Sequence, residues 1–206
     1  AVPFMLRQGR MKYSVSAGRY HYPGSTNLHS PTFLQSTIFY GLPMNVTAFG
    51  GMLAAQNYHS VAFGMGKGFG DFGALSVDGN WAKADRPDGQ QSAGQSVRVQ
   101  YQKNFASTNT NFSMASYRYS SGGFYSFSEA NALGSPAEYV NNKRSRSEVA
   151  ISQGVGDNGS VSISAYTQRY WRSGAEDRTL HIGYYGMIKS VSWGAGYFYA
   201  DSTGSK

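Results

Sequence analysis

At 206 residues with a formal net charge of +7, the chain carries 14% charged side chains against 15% aromatic ones, among them 16 Tyr and 12 Phe. An ordinary cytosolic domain is about one quarter charged, so charge has given way to aromatics and to the turns that 26 Gly imply. A mean hydropathy of −0.43, with no run near the ~18 apolar residues of a spanning helix, excludes a helical membrane protein.

The basic residues are scattered and cluster only at Lys143, Arg144 and Arg146. Neither a recognition helix nor an aromatic RNA-binding motif accompanies them, which argues against nucleic acid as a partner. Low charge, abundant Tyr and Gly, and alternation instead of apolar blocks form the pattern of a transmembrane β-barrel. The lack of Cys suits passage through an oxidising periplasm without disulfides. No signal-peptide pattern is visible and the first residue is Ala1, so a processed product or an excised segment is expected.

In chain order, eleven strands and no helix are expected. The first covers residues 12–22, with Tyr13, Val15 and Ala17 opposite in parity to Ser14, Ser16 and Gly18. A polar connection, 23–31, leads to the second strand, 32–42, and a turn at 41–45 to the third, 46–55. Strands four and five, 60–69 and 73–84, form a hairpin: Leu75, Val77 and Trp81 share one parity, and Ser76, Asp78 and Asn80 the other.

Gly68, Gly70 and Gly73 also spell G-x-G-x-x-G after a strand, the fingerprint of a dinucleotide-binding turn. That turn must open a helix whose N-terminus meets the pyrophosphate. Here a second strand follows, so the hairpin reading wins.

A polar loop, 85–93, precedes strand six, 95–105, where Val97, Val99 and Tyr101 alternate with Arg98, Gln100 and Gln102. Strand seven, 110–120, offers two parities of equal merit, because Phe112 and Met114 disagree with Ala115, Tyr117 and Tyr119. Residues 122–142 are the longest irregular stretch. Strand eight, 144–154, sets Val149 and Ile151 against Glu148, Ala150 and Ser152; strand nine, 160–171, sets Val161, Ile163 and Ala165 against Ser162, Ser164 and Tyr166. After a polar loop, 172–177, strand ten runs 178–187. Strand eleven places Val191, Trp193, Ala195, Tyr197 and Tyr199 on one face.

Short connections follow the even strands and mostly longer, polar ones the odd strands, the layout of an up-and-down outer-membrane barrel. Trp81 and Trp171 then sit at the long-loop end and Trp193 at the short-turn end; with Tyr197 and Tyr199 they are candidates for an aromatic girdle. The candidate lumen-facing set is Ser76, Asp78, Asn80, Arg98, Gln100, Gln102, Ser162, Ser164 and Tyr166, small or neutral groups for the most part. With an odd number of strands, the first and last run parallel and cannot close on each other, which points to a fragment of a larger barrel.

Several blocks resemble the outer-membrane usher proteins of chaperone–usher pilus assembly. They are V-P-F-M-L-R-Q-G-R-M-K-Y-S-V-S-A-G-R-Y (2–20), F-L-Q-S-T-I-F-Y-G-L-P (33–43), F-G-M-G-K-G-F-G-D-F-G-A-L-S-V-D (63–78), G-Q-S-V-R-V-Q-Y-Q-K (94–103) and Y-R-Y-S-S-G-G-F-Y-S-F (117–127). The resemblance implies an all-β, antiparallel segment of roughly 10–12 strands, residues 1–206, from an outer-membrane barrel of ~24 strands. It would follow a plug domain and lack the N-terminal and C-terminal periplasmic domains. The implied partners are outer-membrane lipid, the plug, pilus subunits and periplasmic chaperone–subunit complexes. No catalytic, cofactor or metal residue is carried over.

Three alternatives share the alternating pattern. A passive porin would need an even strand count and a constriction lined with charges of both signs. A hydrolase would need a nucleophile beside a base, yet His21, His29 and His59 fall at strand ends or loops, leaving His181 in a strand. The four His show no metal-ligand spacing. A soluble adhesin module would turn its apolar face to a second sheet instead of lipid.

Overall fold

The computed structural model describes residues 5–20, 31–85, 89–105, 110–132, 142–156 and 158–203. Among the described residues there are eleven strands: β1 (Met11–Arg19), β2 (Thr32–Leu42), β3 (Val46–Ala55), β4 (Tyr58–Gly68), β5 (Ala74–Asp85), β6 (Gln91–Phe105), β7 (Thr110–Ser120), β8 (Lys143–Val155), β9 (Gly159–Tyr170), β10 (Glu176–Ile188) and β11 (Val191–Thr203). They form one sheet in strict sequence order, each antiparallel to the next. β1 and β11 are each paired on one side, so the sheet is open. Unpaired backbone edges are very costly in lipid. The chain reconstituted alone is therefore expected to give no discrete single-channel steps in a planar bilayer; reproducible steps would contradict this.

The turns carry the chemistry that tight reversals require. Met44 and Asn45 both have positive φ (60° and 54°), and the Val46 N–H donates to the Pro43 carbonyl at 3.3 Å, a type I′ turn whose twist matches its strands. The glycine-rich β4–β5 connection closes as a hairpin through a 3₁₀ turn, Gly70–Phe72. Gly73 there has φ +93°, and a Cβ on it would lie 2.3 Å from the Gln102 carbonyl oxygen. Both the left-handed backbone and the close approach select Gly.

The register sorts each strand into two faces. On β5, Leu75, Val77 and Trp81 are exposed, while Ser76 is buried and Asp78 and Asn80 are half-buried. The apolar face is thus the bare one: Phe63 stands 58% exposed and Tyr197 58%. A soluble sheet buries such a face against a second layer; among the described residues nothing covers it here. On β4 the apolar face runs from Lys67 through Met65, Phe63 and Val61 to His59, about 27 Å along the strand. At the short-turn end, the Lys67 and Lys103 ammonium groups lie 5.5 and 4.3 Å from the ring centroids of Phe69 and Phe105, cation–π contacts.

Several expectations need correction. A helix, α1 (Phe127–Ala132), lies between β7 and β8, within the stretch read as irregular. Its signal was the capping box Ser126-Phe127-Ser128-Glu129: the Ser126 N–H donates to Glu129 Oε2 at 2.8 Å, and the Glu129 N–H to Ser126 Oγ at 3.4 Å. β6 begins at Gln91, inside the expected polar loop 85–93, because Gln91, Ser92 and Gly94 give no apolar alternation to read. β4 likewise begins at Tyr58 and β10 at Glu176, shortening their loops. β1 ends at Arg19, so Tyr20, expected within it, is not part of the strand; residues 21 and 22 of the expected continuation and most of the connection 23–31 lie outside the described residues.

The ambiguity of strand seven has a physical cause. Position 112 pairs with Ile151 and position 114 with Ala150, so β7 spends two residues where β8 spends one. This bulge inverts the parity and returns position 112 to the same face as 115, 117 and 119.

Candidate functional site

The polar face is assembled by pairing across neighbouring strands. Asp78 stands opposite Arg98, Ser76 opposite Gln100, and position 74 opposite Gln102. Arg98 continues to Arg118 and Gln100 to Ser116, then to Arg146 and Glu148 on β8. Glu148 faces Tyr166, Ala150 faces Ser164, and Ser152 faces Ser162. All nine residues expected to line a lumen, Ser76, Asp78, Asn80, Arg98, Gln100, Gln102, Ser162, Ser164 and Tyr166, therefore share one face of the sheet. Ser76 Oγ and Asn80 Oδ1 are buried with no protein partner, an uncompensated desolvation cost on this face. The Arg98 Nε donates to Asp78 Oδ1 at 2.9 Å.

This face is not polar throughout. At its short-turn end, residues 5–10 lie across β2, β3 and β4. The Leu6 N–H donates to Oγ1 of the fully buried Thr47 at 2.9 Å, the Gly9 N–H to the Gly41 carbonyl at 2.8 Å, and the Gly41 N–H to the Arg10 carbonyl at 2.8 Å. Met5 Sδ would lie 3.4 Å from a Cβ on Gly66. At the long-loop end, residues 121–132 fold back over the same face and create the core: Ala55, Tyr58, Ala82 and Ala84 of the sheet are buried with Phe124, Tyr125 and Ala130. The Phe127 ring meets Tyr20, Phe33 and Tyr58 at 5.1, 5.7 and 5.3 Å.

Sequence reasoning missed both coverings. The signal was present in Phe33, Phe39, Phe49, Leu53 and Tyr58, apolar residues on the parity that should have been polar. Phe39 and Phe49 stack across β2 and β3 at 5.5 Å.

Helix α1 is tied to the sheet by an ion pair between a half-buried carboxylate and an exposed lysine. Lys143 Nζ lies 2.8 Å from Glu129 Oε1, and Ser126 Oγ donates to Glu129 Oε2 at 2.6 Å. Burial pushes the Glu129 carboxyl up, but Lys143 and the two Ser126 donors outweigh it and hold the group below its ordinary value of 4.5. A lowered folded pKa means that the stabilisation is full above 4.5 and is lost as pH falls below it through the folded value. Proteolysis between β7 and β8 is expected to accelerate in that acid window. In Glu129→Gln the acid step should vanish; its persistence would contradict the assignment.

The girdle candidates lie on the apolar face. Trp81 is 48% exposed and stacks on Phe63 at 5.3 Å; Trp193 is 45% exposed and packs on Tyr184 at 5.0 Å. Trp171 follows β9 and is pinned at the long-loop end, its Nε1 donating to the Ser120 carbonyl at 2.8 Å and the Arg144 guanidinium 4.9 Å from its ring. Tyr199 and Tyr197 stand opposite Leu180 and Ile182, in mid-strand instead of at a rim. Among the described residues no cluster of His, Asp and Glu could hold a metal ion.

A profile of the outer membrane usher protein family matches residues 1–206. The chain is 40% identical over 199 residues to the probable outer membrane usher protein LpfC' of Escherichia coli O157:H7, covering 95% of this chain and 41% of that protein. It is 38% identical over 205 residues to the outer membrane usher protein LpfC of Salmonella typhimurium, covering 98% of this chain and 24% of that protein. The sheet superposes on the translocation pore of the P pilus usher PapC with a TM-score of 0.72 at 24% identity, over 98% of this chain and 42% of that one. The chain thus spans between about a quarter and two-fifths of the length of these curated relatives. It belongs to the outer membrane usher family.

Proposed function

We propose that residues 1–206 are a central part of the translocation barrel of a fimbrial usher, following a plug domain in the full-length protein, and that the polar face lines the pore. The full-length protein sits in the outer membrane, receives pilus subunits from periplasmic chaperones and passes them outward. The observation that carries this is the inverted sheet: eleven sequential antiparallel strands with the apolar face bare, the polar positions aligned opposite, and both edges open for further strands. The P pilus assembly intermediate PapC-PapD-PapK-PapG superposes with a TM-score of 0.71, and its composition suggests the same classes of partner here. The chain acts as a conduit, with lipid against the apolar face, and not as a catalyst.

The test is cross-linking during secretion. In the full-length protein, working with its chaperone and subunits, a thiol-reactive cross-linker on Ser164→Cys is expected to capture a pilus subunit. The same reagent on Ile163→Cys, one residue along and on the opposite face, is expected to capture none. Capture from Ile163→Cys alone, or from neither, would contradict the reading.

A further inference from the structure

Arg98, Arg118 and Arg146 stand directly opposite one another on β6, β7 and β8. Like charges in cross-strand pairs destabilise a sheet, so three arginines in one row call for compensation. The outer two have it. Arg98 is bonded to Asp78 at 2.9 Å; Arg146 is bonded to Glu148 at 3.1 Å and to Gln168 at 3.3 Å, with its guanidinium 4.2 Å from the Tyr166 ring. The middle one has no bonded partner: the exposed Arg118 forms no ion pair or hydrogen bond among the described residues and feels the Asp78 and Glu129 carboxylates only at longer range. Nor is a nearby carboxylate free, since Glu129 is engaged by Lys143 and Ser126.

In front of Arg118 lies a cavity of about 270 Å³. Arg98, Arg118, Lys143, Arg144 and Arg146 contribute to its wall, against Glu129 and Glu148 as the acidic members. Its volume suits one small oxyanion, below the ~300 Å³ at which pockets for larger ligands begin. An arginine fork with no partner, between two arginines whose carboxylates lie to either side, leaves one charge-assisted acceptor position open.

We propose that this arginine row is an anion-binding site, with Arg118 as the donor that grips a single oxyanion group. The site rests on the reading that the polar face lines a water-filled pore. The group is a carboxylate, sulfate or phosphate, supplied by a free inorganic anion or by an acidic side chain of a protein within the lumen. Charged rings of one sign select ions in pores, so the row also biases the open pore toward anions.

The experiment records open intervals of the full-length protein in planar bilayers while sulfate, or an oligoglutamate peptide, is added. Wild type should show a concentration-dependent fall in open-state current. Arg118→Gln should need about tenfold more of the same probe, and Arg118→Lys, which keeps the charge but not the fork, should fall between. Sulfate block relieved by Arg118→Gln identifies the free-anion source. Block by the peptide alone, again relieved by Arg118→Gln, identifies a protein-borne carboxylate. Block by neither probe, or block unchanged in Arg118→Gln, overturns the proposal. An independent arm modifies Ser164→Cys on β9 with a charged thiol reagent. A reduced current there keeps the lumen reading even when the arginine site fails; no change there sinks the lumen reading itself.

Discussion

Replacing Gly41 with valine is expected to unseat residues 5–10 and to destabilise the sheet by roughly 3 kcal/mol or more, the upper range for forcing bulk into a packed site. A Cβ at position 41 would lie 2.1 Å from the Arg7 carbonyl oxygen and 2.8 Å from its carbon. These are backbone atoms, fixed by the reciprocal hydrogen bonds between Gly41 and residues 9 and 10, and cannot swing aside as a side-chain tip could. The strand or the covering segment must move, and Leu6 then loses its bond to the buried Thr47. Heat-modifiable gel mobility of the full-length protein reads the stability, and limited proteolysis near residues 5–10 reads the detachment. A Gly41→Val variant that matches wild type in both would show that the covering segment is not held as described.

The second large effect is at Tyr58, 2% exposed and the anchor beneath residues 121–132. Its neighbours across the strands are Ala55 and Ala84, small residues that leave room for its ring against Phe127. Its hydroxyl donates to the Tyr125 carbonyl at 3.1 Å. Tyr58→Ala removes the ring and leaves a cavity, at about 3–5 kcal/mol. Tyr58→Phe forfeits the hydrogen bond alone, at about 1 kcal/mol. Protease cleavage between β7 and β8 should rise steeply in the first variant and slightly in the second. Equal, small effects would mean that the ring does not anchor the segment.

These two sites mark where the sequence could be read and where it could not. Alternation made the strand order, the count of eleven and the faces of strands five, six, eight and nine legible, because polar and apolar residues on those strands answer to different surroundings. The β4–β5 hairpin was legible because glycines at 70 and 73 meet a backbone demand. Alternation failed where one face meets protein instead of water or lipid: Phe33, Leu53 and Tyr58 look out of phase until residues 121–132 are laid over them. It failed again on β7, where one extra residue inverts the parity. It was silent at Gln91 and Ser92, where a strand is built from polar residues on both faces. The arginine row was illegible for another reason. Arg98 could be placed on a face by alternation, but its alignment with Arg118 and Arg146 depends on register, and the bulge on β7 hides that.

The most direct test of the pore reading is thiol accessibility along β9 in intact outer membranes. The segment has no Cys, so single substitutions in the full-length protein, stripped of any other Cys, report one position each. Ser162→Cys, Ser164→Cys and Tyr166→Cys should react with a membrane-impermeant aqueous reagent, whereas Val161→Cys, Ile163→Cys and Ala165→Cys should react with a lipophilic one alone. That two-residue period, in that phase, is what a polar pore wall backed by lipid predicts. The opposite phase, or uniform aqueous labelling of all six, would contradict it.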